Sequence, residues 1–287
     1  KPSIQFVAEL RKHTQVSISK AREALTASNL DIKGALAWLE TDMAASGASK
    51  AAKIAGRTAQ QGLVALHVLS PGVLGASSSA SDAGRGGVRA AMIELNCETD
   101  FVARNALFGT LAANIAHTAA VLASPVDDAS AFFRASPSLD DLLAAPLIPA
   151  ADPAAVPTTT VGDAVHQTIA RLGEKVSLRR VIGVARDPPP SPLAFALGSY
   201  VHGSVGDSNR GRVGGLVLAA VRHEGIAKGV RPAATESSDG LPVSPINALA
   251  LLARSLARQA VGFDTRVLDN AADASDLSAL LNQPFMM

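Results

Sequence analysis

The sequence predicts an α+β fold in which a small helical module precedes a core of two similar lobes. Three observations support this prediction. The first 45 residues carry three short amphipathic helical patterns. Two later segments, 62–98 and 194–221, have the alternating pattern of antiparallel β-hairpins. A helical pattern follows each hairpin, at 105–123 and 245–262, an order typical of α+β folds and not of a strictly alternating parallel sheet.

The composition indicates a substantial hydrophobic core and a weak overall electrostatic field. Of the 287 residues, 48 % are hydrophobic and 18 % are charged, so the chain can bury a core and is not disordered as a whole. Aromatic residues make up only 3 %, which argues against binding of single-stranded nucleic acid by stacking. The net charge of +1 would not recruit nucleic acid. The single Cys97 excludes an intrachain disulfide, and no apolar run reaches the roughly 18 residues of a membrane span.

Residues 1–45 form the predicted helical module. Its three helices place apolar residues at helical spacing, on Ile4, Val7 and Leu10, on Ala21, Ala24 and Leu25, and on Ile32, Ala35, Leu36 and Leu39. So small a bundle buries little apolar surface, and we therefore expect it to dock on another surface. Trp38 fits either the core of the module or its docking face. The small, polar and basic residues 46–61 predict a linker or a fraying helix.

Residues 62–186 form the predicted core N-lobe. The predicted elements are two strands joined by a Gly/Ser-rich loop, two helices and a third strand, at 62–70, 88–98, 105–123, 161–172 and 174–185. Residues 124–160 include AAPLIPAADPAAVP, which cannot sustain a helix, and predict a surface excursion. The Pro-rich DPPPSP at 187–192 separates this lobe from the next.

Residues 193–287 form the predicted core C-lobe. AFALGSYVHGS and RVGGLVLAAV predict a second hairpin, and residues 245–262 predict the last helix. Residues 263–287 show no regular pattern.

The stretch ELNCETDFVARN at 94–105 places an acid before a large apolar ring where a strand gives way to a helix. A buried strand would favour the ring without the acid, and a solvated turn would favour the acid without the ring. Both together indicate an exposed wedge, in which Phe101 enters another surface and Asp100 acts on the polar groups beside it. The alternative is that Phe101 is an ordinary core residue.

The sequence lacks the common catalytic patterns. It contains no G-x-x-x-x-G-K-[ST] phosphate loop, no G-x-G-x-x-G after a strand, no zinc-protease helix and no G-x-S-x-G elbow. Its six histidines show no ligand spacing, and one cysteine cannot form a thiolate zinc site. We therefore expect no catalytic residue, no cofactor and no metal site.

Several short motifs occur together in an order that one protein family shares. ETDFVARN resembles the signature T-D-F-V-A-[RK]-[ND], GEKVSLRRV resembles G-E-x-[IV]-x-[IL]-R-R, and GSYVHG resembles G-S-Y-x-H-G. An N-terminal ubiquitin-associated-like module is resembled by VAELRKHT, AREAL and DIKGALAWLE. The segment that follows this module in the family is similar to SKAAKIAGRTAQQGLV, and a Q-P-[FY] stretch near its end is similar to LLNQPFMM. These are the motifs of elongation factor Ts, the nucleotide-exchange factor for elongation factor Tu. The resemblance leaves 124–160 and several loops unmatched.

The resemblance implies a function without catalysis by the chain itself. The protein would bind the GTPase elongation factor Tu as a 1:1 heterodimer and speed GDP release, with no direct contact to nucleic acid or membrane. By residue matching, Phe101 would be an apolar wedge beside the magnesium and nucleotide site of the GTPase. Asp100 would disturb the groups that hold the metal and phosphates, and Thr99 and Val102 would shape the turn.

Further contacts follow from the resemblance in the same way. The N-terminal module, including Leu10 and Arg11, would dock on the GTPase domain. The C-lobe, including Tyr200, His202 and Gln259, would grip a more distant domain of the partner. Arg179 and Arg180 fit a solvated strand edge or a contact role equally well.

Departures from the family pattern indicate the mitochondrial branch. The helical insertion of bacterial members is absent, since only about twenty residues separate Gly262 from Gln283. The chain also opens without an initiator Met, which suggests that a leader was removed or the chain was shortened. We therefore expect the mitochondrial matrix as its location. Gln259 stands where the family usually has His, and the chain stops at Met287 where the family continues into a terminal strand, so the C-lobe would be incomplete or differently closed.

Two rival interpretations come from other classes. The chain could be a non-catalytic adaptor or scaffold that recruits a partner through the ubiquitin-associated-like module. It could also be a small enzyme that uses surface His and Asp residues. Neither explains why TDFVARN, GEKVSLRR and GSYVHG occur together in order, so the exchange factor is the prediction.

Overall fold

The computed structural model is an α+β structure of N-terminal helices followed by antiparallel sheets covered by helices. It describes residues 2–14, 16, 18–72, 86–125, 136–189, 193–222, 235–236, 242–243 and 245–285. The predicted fold class is confirmed. The division at 1–45, 46–61, 62–186 and 193–287 stays a prediction.

Three helices begin the chain, α1 (Ile4–His13), α2 (Ile18–Ala27) and α3 (Ile32–Ile54). Ser3 caps α1 by accepting the Phe6 N–H, and Asp31 caps α3 by accepting two N–H groups, so both helix starts are satisfied by side chains. The module core contains Val7, Leu10, Ala21, Ala24, Leu25, Ala35 and Leu39. Trp38 lies partly buried against this core, and the Lys20 ammonium group is 4.9 Å from the centre of its ring.

The third helix is longer than the sequence pattern indicates. It continues to Ile54, through most of the segment 46–61 that predicts a linker or fraying helix. Gly47 lies directly against the backbone of His166 in a core helix, and Ala51 and Ile54 pack on the core of the N-lobe. Helical structure persists here because tertiary packing supports residues whose own pattern is weak.

The N-lobe elements are β1 (Gln61–Pro71), β2 (Val88–Cys97), α4 (Asp100–Ala103), α5 (Ala106–Leu122), α6 (Leu139–Ala144), α7 (Val161–Leu172) and β3 (Ser177–Arg186). The C-lobe elements are β4 (Leu193–His202), β5 (Arg210–Gly211), β6 (Val213–Arg222), β7 (Thr235–Glu236), β8 (Pro242–Val243) and α8 (Pro245–Gly262). A short 3-10 helix, Leu280–Asn282, lies near the end of the chain. The predicted helices at 161–172 and 245–262 and the two predicted hairpins are confirmed.

The strands form one larger and two smaller antiparallel sheets. The larger sheet has the order β3-β2-β1-β5, β4 pairs with β6, and β7 pairs with β8. Strand β5 lies in the connection of the second hairpin, but it pairs with β1, placing Gly211 opposite Val64. The hairpin of the C-lobe is thereby joined to the N-lobe sheet at its edge.

Helix α5 covers one face of the larger sheet and forms the main core. Phe108 and Ile115 of α5 are fully buried against Ile93 and Leu95 of β2. On the opposite face a second cluster joins β2 and β3 to the β4–β6 hairpin through Val88, Val184 and Leu197. Residues 99–103, called the wedge segment below, follow shortly after the end of β2. They therefore continue from a strand that is packed on both faces.

The prediction that 124–160 is only a surface excursion is wrong in part. Helix α6 lies within it and buries Leu142 completely in the main core. Polar side chains of α5 accept hydrogen bonds from the irregular backbone after α6. Thr118 Oγ1 accepts the Ile148 N–H at 3.0 Å, and Asn114 Oδ1 accepts the Ala150 N–H at 2.9 Å. An irregular segment can pack inward when its backbone groups find such partners. Residues 126–135 lie outside the described residues.

Candidate functional site

The Asp-Phe pair lies in α4, a single helical turn that follows β2. Thr99 is the N-cap of α4, and its hydroxyl oxygen accepts the Val102 N–H at 3.4 Å. Val102 and Ala103 face inward and are buried in the main core. The predicted change from strand to helix at this place is confirmed.

Phe101 points away from the protein, with 82 % of its surface exposed. The alternative that it is an ordinary core residue is therefore wrong. Asp100 is partly exposed beside it and forms an ion pair with Arg104, between Oδ2 and Nη2, at 3.2 Å. The turn thus presents an apolar ring and a carboxylate together on the surface.

A loop between α7 and β3 holds the base of this turn. Glu174 accepts two hydrogen bonds from Thr99, one from the backbone N–H to Oε2 at 3.0 Å and one from the hydroxyl to Oε1 at 2.6 Å. The sequence interpretation missed Glu174 as a site residue. The signal for it was the GEKVSLRRV motif, whose acidic residue follows the glycine that ends α7.

Glu98 and Lys175 add a second link between the same segments. The Lys175 backbone N–H donates to Glu98 Oε1 at 2.7 Å, and Arg57 Nη1 reaches the same oxygen at 3.3 Å. The Lys175 hydrogen bond lowers the pKa of the Glu98 carboxyl, and the Arg57 guanidinium adds to this against the opposing effect of burial. Glu98 is therefore ionised at neutral pH and ties the wedge segment to the loop.

Cys97 lies at the end of β2 and offers no reactive thiolate. It is completely buried, and its Sγ–H donates to the Thr99 carbonyl at 3.1 Å. Burial raises the pKa of the thiol to about 12, and the negative charge of Glu174 adds to the effect. The thiol consequently stays protonated at neutral pH.

A shallow open depression of about 380 Å³ adjoins the wedge. Its lining residues come from both lobes: Gln61, Glu98, Thr99, Asp100, Phe101 and Arg212. Arg212, which lies between β5 and β6, places a cation from the second hairpin on the same depression as Asp100.

The predicted contacts of the N-terminal module differ in exposure. Leu10 is completely buried in the module core, so the folded module does not present it to a partner. Arg11 is exposed, and its Nε–H donates to the Val16 carbonyl at 3.2 Å. A partner contact at this end of α1 would therefore fall to Arg11, with Leu10 supporting the helix from inside.

The predicted C-lobe contacts also differ in exposure. Tyr200 is half-buried and His202 is exposed on β4, with ring centroids 6.5 Å apart. Gln259 is only 2 % exposed, and its Nε2–H donates to Gln283 Oε1 at 3.4 Å. Gln283 in turn donates to Thr265 Oγ1 and to the Leu277 carbonyl, each at 2.8 Å. Gln259 thus contacts the final segment of the chain and not the surface.

Arg179 and Arg180 lie on β3 beside Glu94 of β2. Arg179 Nη1 and Arg180 Nε approach the two Glu94 carboxylate oxygens at 3.1 and 2.6 Å, yet both guanidinium groups stay largely exposed. Burial raises the pKa of Glu94, but the two arginines outweigh it and lower the pKa overall. The solvated strand edge and the contact role therefore both stay open for this pair.

Across the described ranges, no group of three or more His, Cys, Asp or Glu side chains could hold a metal ion. Among the same residues, no helix combines the length and apolar character needed to cross a membrane.

Comparison with known proteins shows similarity to one protein family. A family model described as Elongation factor TS matches residues 98–235, which include the wedge and the Glu174 loop. The chain is 48 % identical to the mitochondrial elongation factor Ts of Coprinopsis cinerea and 48 % identical to that of Laccaria bicolor, in each case over all of this chain and 79 % of the relative. It is 40 % identical to mitochondrial elongation factor Ts 2 of Postia placenta, over 99 % of this chain and 78 % of that protein.

Proposed function

This chain belongs to the elongation factor Ts family, in its mitochondrial type. From that premise we propose that it promotes GDP release from elongation factor Tu by inserting the Asp100-Phe101 wedge near the magnesium and nucleotide site of that GTPase. The observation that supports this proposal is Phe101, a large apolar ring that is 82 % exposed on a turn whose base is buried. Covering such a ring at an interface would remove its apolar surface from water, which favours binding.

The proposed mechanism uses binding energy and no chemistry by the factor. A buried aromatic anchor at an interface contributes about 2 kcal/mol or more. An exchange protein that prefers the nucleotide-free GTPase lowers the affinity of the GTPase for nucleotide. By linkage, nucleotide lowers the affinity of the GTPase for the exchange protein by the same ratio. Speeding release about a thousandfold requires a barrier lower by about 4 kcal/mol, which the wedge together with lost metal contacts supplies. Nucleotide concentrations, and not the factor, then decide between GDP and GTP.

Other parts of the chain would secure the complex. The exposed Arg11 of the module and the Tyr200–His202 pair of β4 are the predicted contacts with further surfaces of the GTPase, in a 1:1 heterodimer. We place this complex in the mitochondrial matrix. Gln259 supports the C-lobe from inside because its side chain is buried.

The test is release of a fluorescent GDP analogue from mitochondrial elongation factor Tu. The intact protein is compared with an Asp100→Ala/Phe101→Ala variant and with a control, Asp152→Ala/Val156→Ala. The control removes an exposed acid and an apolar side chain that is 83 % exposed, from the segment 124–160 that the resemblance leaves unmatched. We expect strong acceleration by the intact protein and the control, and its loss in the wedge variant.

The other outcomes separate function from mechanism. Acceleration that survives in the wedge variant would keep the exchange function and move the mechanism to other contacts. If the intact chain neither binds the GTPase nor speeds release, the exchange function fails and the adaptor interpretation takes its place.

A further inference from the structure

The exposed wedge turn cannot hold its own conformation. Helix α4 has only 4 residues, and so short a helix is unstable in isolation because nucleation is unfavourable. Phe101 contributes little packing energy within this chain, since its ring is mostly in solvent. The direction of the ring must therefore be fixed by the groups at the base of the turn.

The N-terminus of α4 resembles an incomplete capping box. In that motif, a Ser or Thr N-cap accepts the N–H of the third helical residue, whose Glu or Gln side chain accepts the N–H of the cap. Here Thr99 is the cap, but the third helical residue is Val102, which is needed in the core and has no acceptor. The Thr99 N–H would then lack the partner that the motif normally supplies.

Glu174 supplies the missing acceptor from 75 residues further along the chain. One carboxylate oxygen accepts the Thr99 N–H at 3.0 Å, and the other accepts the Thr99 hydroxyl at 2.6 Å. The same hydroxyl oxygen accepts the Val102 N–H, so one chain of hydrogen bonds runs from Glu174 into the helix. Charge-assisted bonds of this kind are stronger than neutral ones, and they strengthen the bonds that follow them.

The loop that carries Glu174 is itself held on the other side. Gly173 ends α7 in the left-handed conformation, with φ of 77°, which turns the chain towards β3. The Lys175 ammonium group donates to the Ala55 and Arg57 carbonyls at 2.7 and 2.8 Å. These carbonyls directly follow the end of α3, so Lys175 ties the loop that carries Glu174 to the chain just beyond that helix.

We infer that Glu174 is a positioning residue for nucleotide exchange, which holds the Thr99–Ala103 turn so that Phe101 projects in the orientation that the partner needs. This inference rests on the proposed exchange function and extends it to a residue that lies outside the Asp100-Phe101 pair and acts on it through Thr99. Losing the carboxylate would leave Phe101 on a looser turn, which is then held only by the packing of Val102 and Ala103 in the core.

The test combines two measurements on this whole chain with Glu174→Gln. Hydrogen exchange of the Val102, Ala103 and Arg104 amides, followed by NMR without the partner, reports on the turn. Release of the GDP analogue at increasing concentrations of the factor gives its maximal rate and its half-saturating concentration. Asp152→Asn serves as the control, because it removes one exposed carboxylate from the segment 124–160.

We expect Glu174→Gln to speed hydrogen exchange of the turn amides about tenfold, the effect of weakening a charge-assisted hydrogen bond. Amides of β2 should stay protected, which separates this local change from unfolding. The maximal rate of GDP release should fall about tenfold, with the half-saturating concentration within about twofold, because the other docking contacts are intact. Thr99→Ser should keep the turn amides as protected as in the intact protein, since it keeps both donors to Glu174.

A double variant tests whether the two residues act as one unit. Thr99→Val removes the hydroxyl at nearly constant size, and combining it with Glu174→Gln should cost little more than the worse single change. Unchanged turn amides in Glu174→Gln, or faster amides with an unchanged maximal rate, would overturn the inference. If the intact protein does not speed GDP release, the proposed function fails, and amide exchange alone decides whether Glu174 holds the turn.

Discussion

Phe101 and Val102 are consecutive residues that face opposite environments: Phe101 is 82 % exposed, whereas Val102 is 9 % exposed and packs in the main core. A single helical turn makes this possible because neighbouring side chains leave a helix about 100° apart. Val102 anchors the turn and Phe101 is displayed by it, so the two side chains should contribute to different properties of the protein.

Phe101→Ala should reduce GDP release from elongation factor Tu without lowering stability by more than about 0.5 kcal/mol, as for other exposed positions. Val102→Ala should lower stability by about 1–2 kcal/mol through the cavity it leaves. Urea unfolding and GDP release, measured on both variants, check this separation. A large loss of stability in Phe101→Ala would mean that the ring packs within its own chain.

Gly198 of β4 lies directly against the Ala253 carbonyl of α8, with no room for a side chain between strand and helix. Gly198→Ala should therefore destabilise the protein by about 2 kcal/mol or more through overpacking. Gly56 provides the control, because a Cβ added there would meet no heavy atom within 4 Å. Gly56→Ala should change stability by less than about 1 kcal/mol. Equal effects of the two changes in thermal unfolding would contradict the close packing of α8 on β4.

His67 of β1 and His117 of α5 form a ring pair with centroids 4.5 Å apart inside the N-lobe. Burial lowers the pKa of His67, and the neighbouring His117 adds to this. The unfolded chain therefore binds a proton more readily than the folded chain between the lowered pKa and the ordinary value of about 6.5. Stability should accordingly fall as pH decreases below about 6.5, until the folded-state pKa is passed.

His67→Leu should make that decline shallower. The measurement is urea unfolding of both proteins at intervals between about pH 7.5 and 5, conditions chosen to bracket the ordinary histidine pKa of about 6.5. Parallel curves for the two proteins would show that His67 does not contribute to the pH dependence.

Gln259→Ala should lower stability by about 1–3 kcal/mol, because it removes the donor to Oε1 of the buried Gln283. Backbone amides of Leu280–Asn282 should also exchange faster, since Gln283 connects that segment to α8. Arg258→Ala, an exposed neighbour on the same helix, is the control and should change stability by less than about 0.5 kcal/mol. A stable variant with weaker GTPase binding would instead favour the original prediction that Gln259 contacts the partner.

Local patterns predicted much of the fold because they depend on near neighbours. Helix α7 occupies the predicted residues 161–172, between a Thr160 cap and a left-handed Gly173, and both ends are legible in the sequence. The conflicting chemistry of Asp100 and Phe101 likewise predicted an exposed turn, which the exposure of the ring confirms. These features are determined by residue types within a few positions of one another.

The tertiary structure decided what depends on distant parts of the chain. The burial of Leu10 and Gln259, the extension of α3 to Ile54 and the bonds from Glu174 to Thr99 arise only when separate segments meet. A side chain at a given helical position faces core or solvent according to what packs on it, and no local pattern contains that information. The sequence by itself therefore determined which residues form the exposed turn, and folding determined which residues hold it in place.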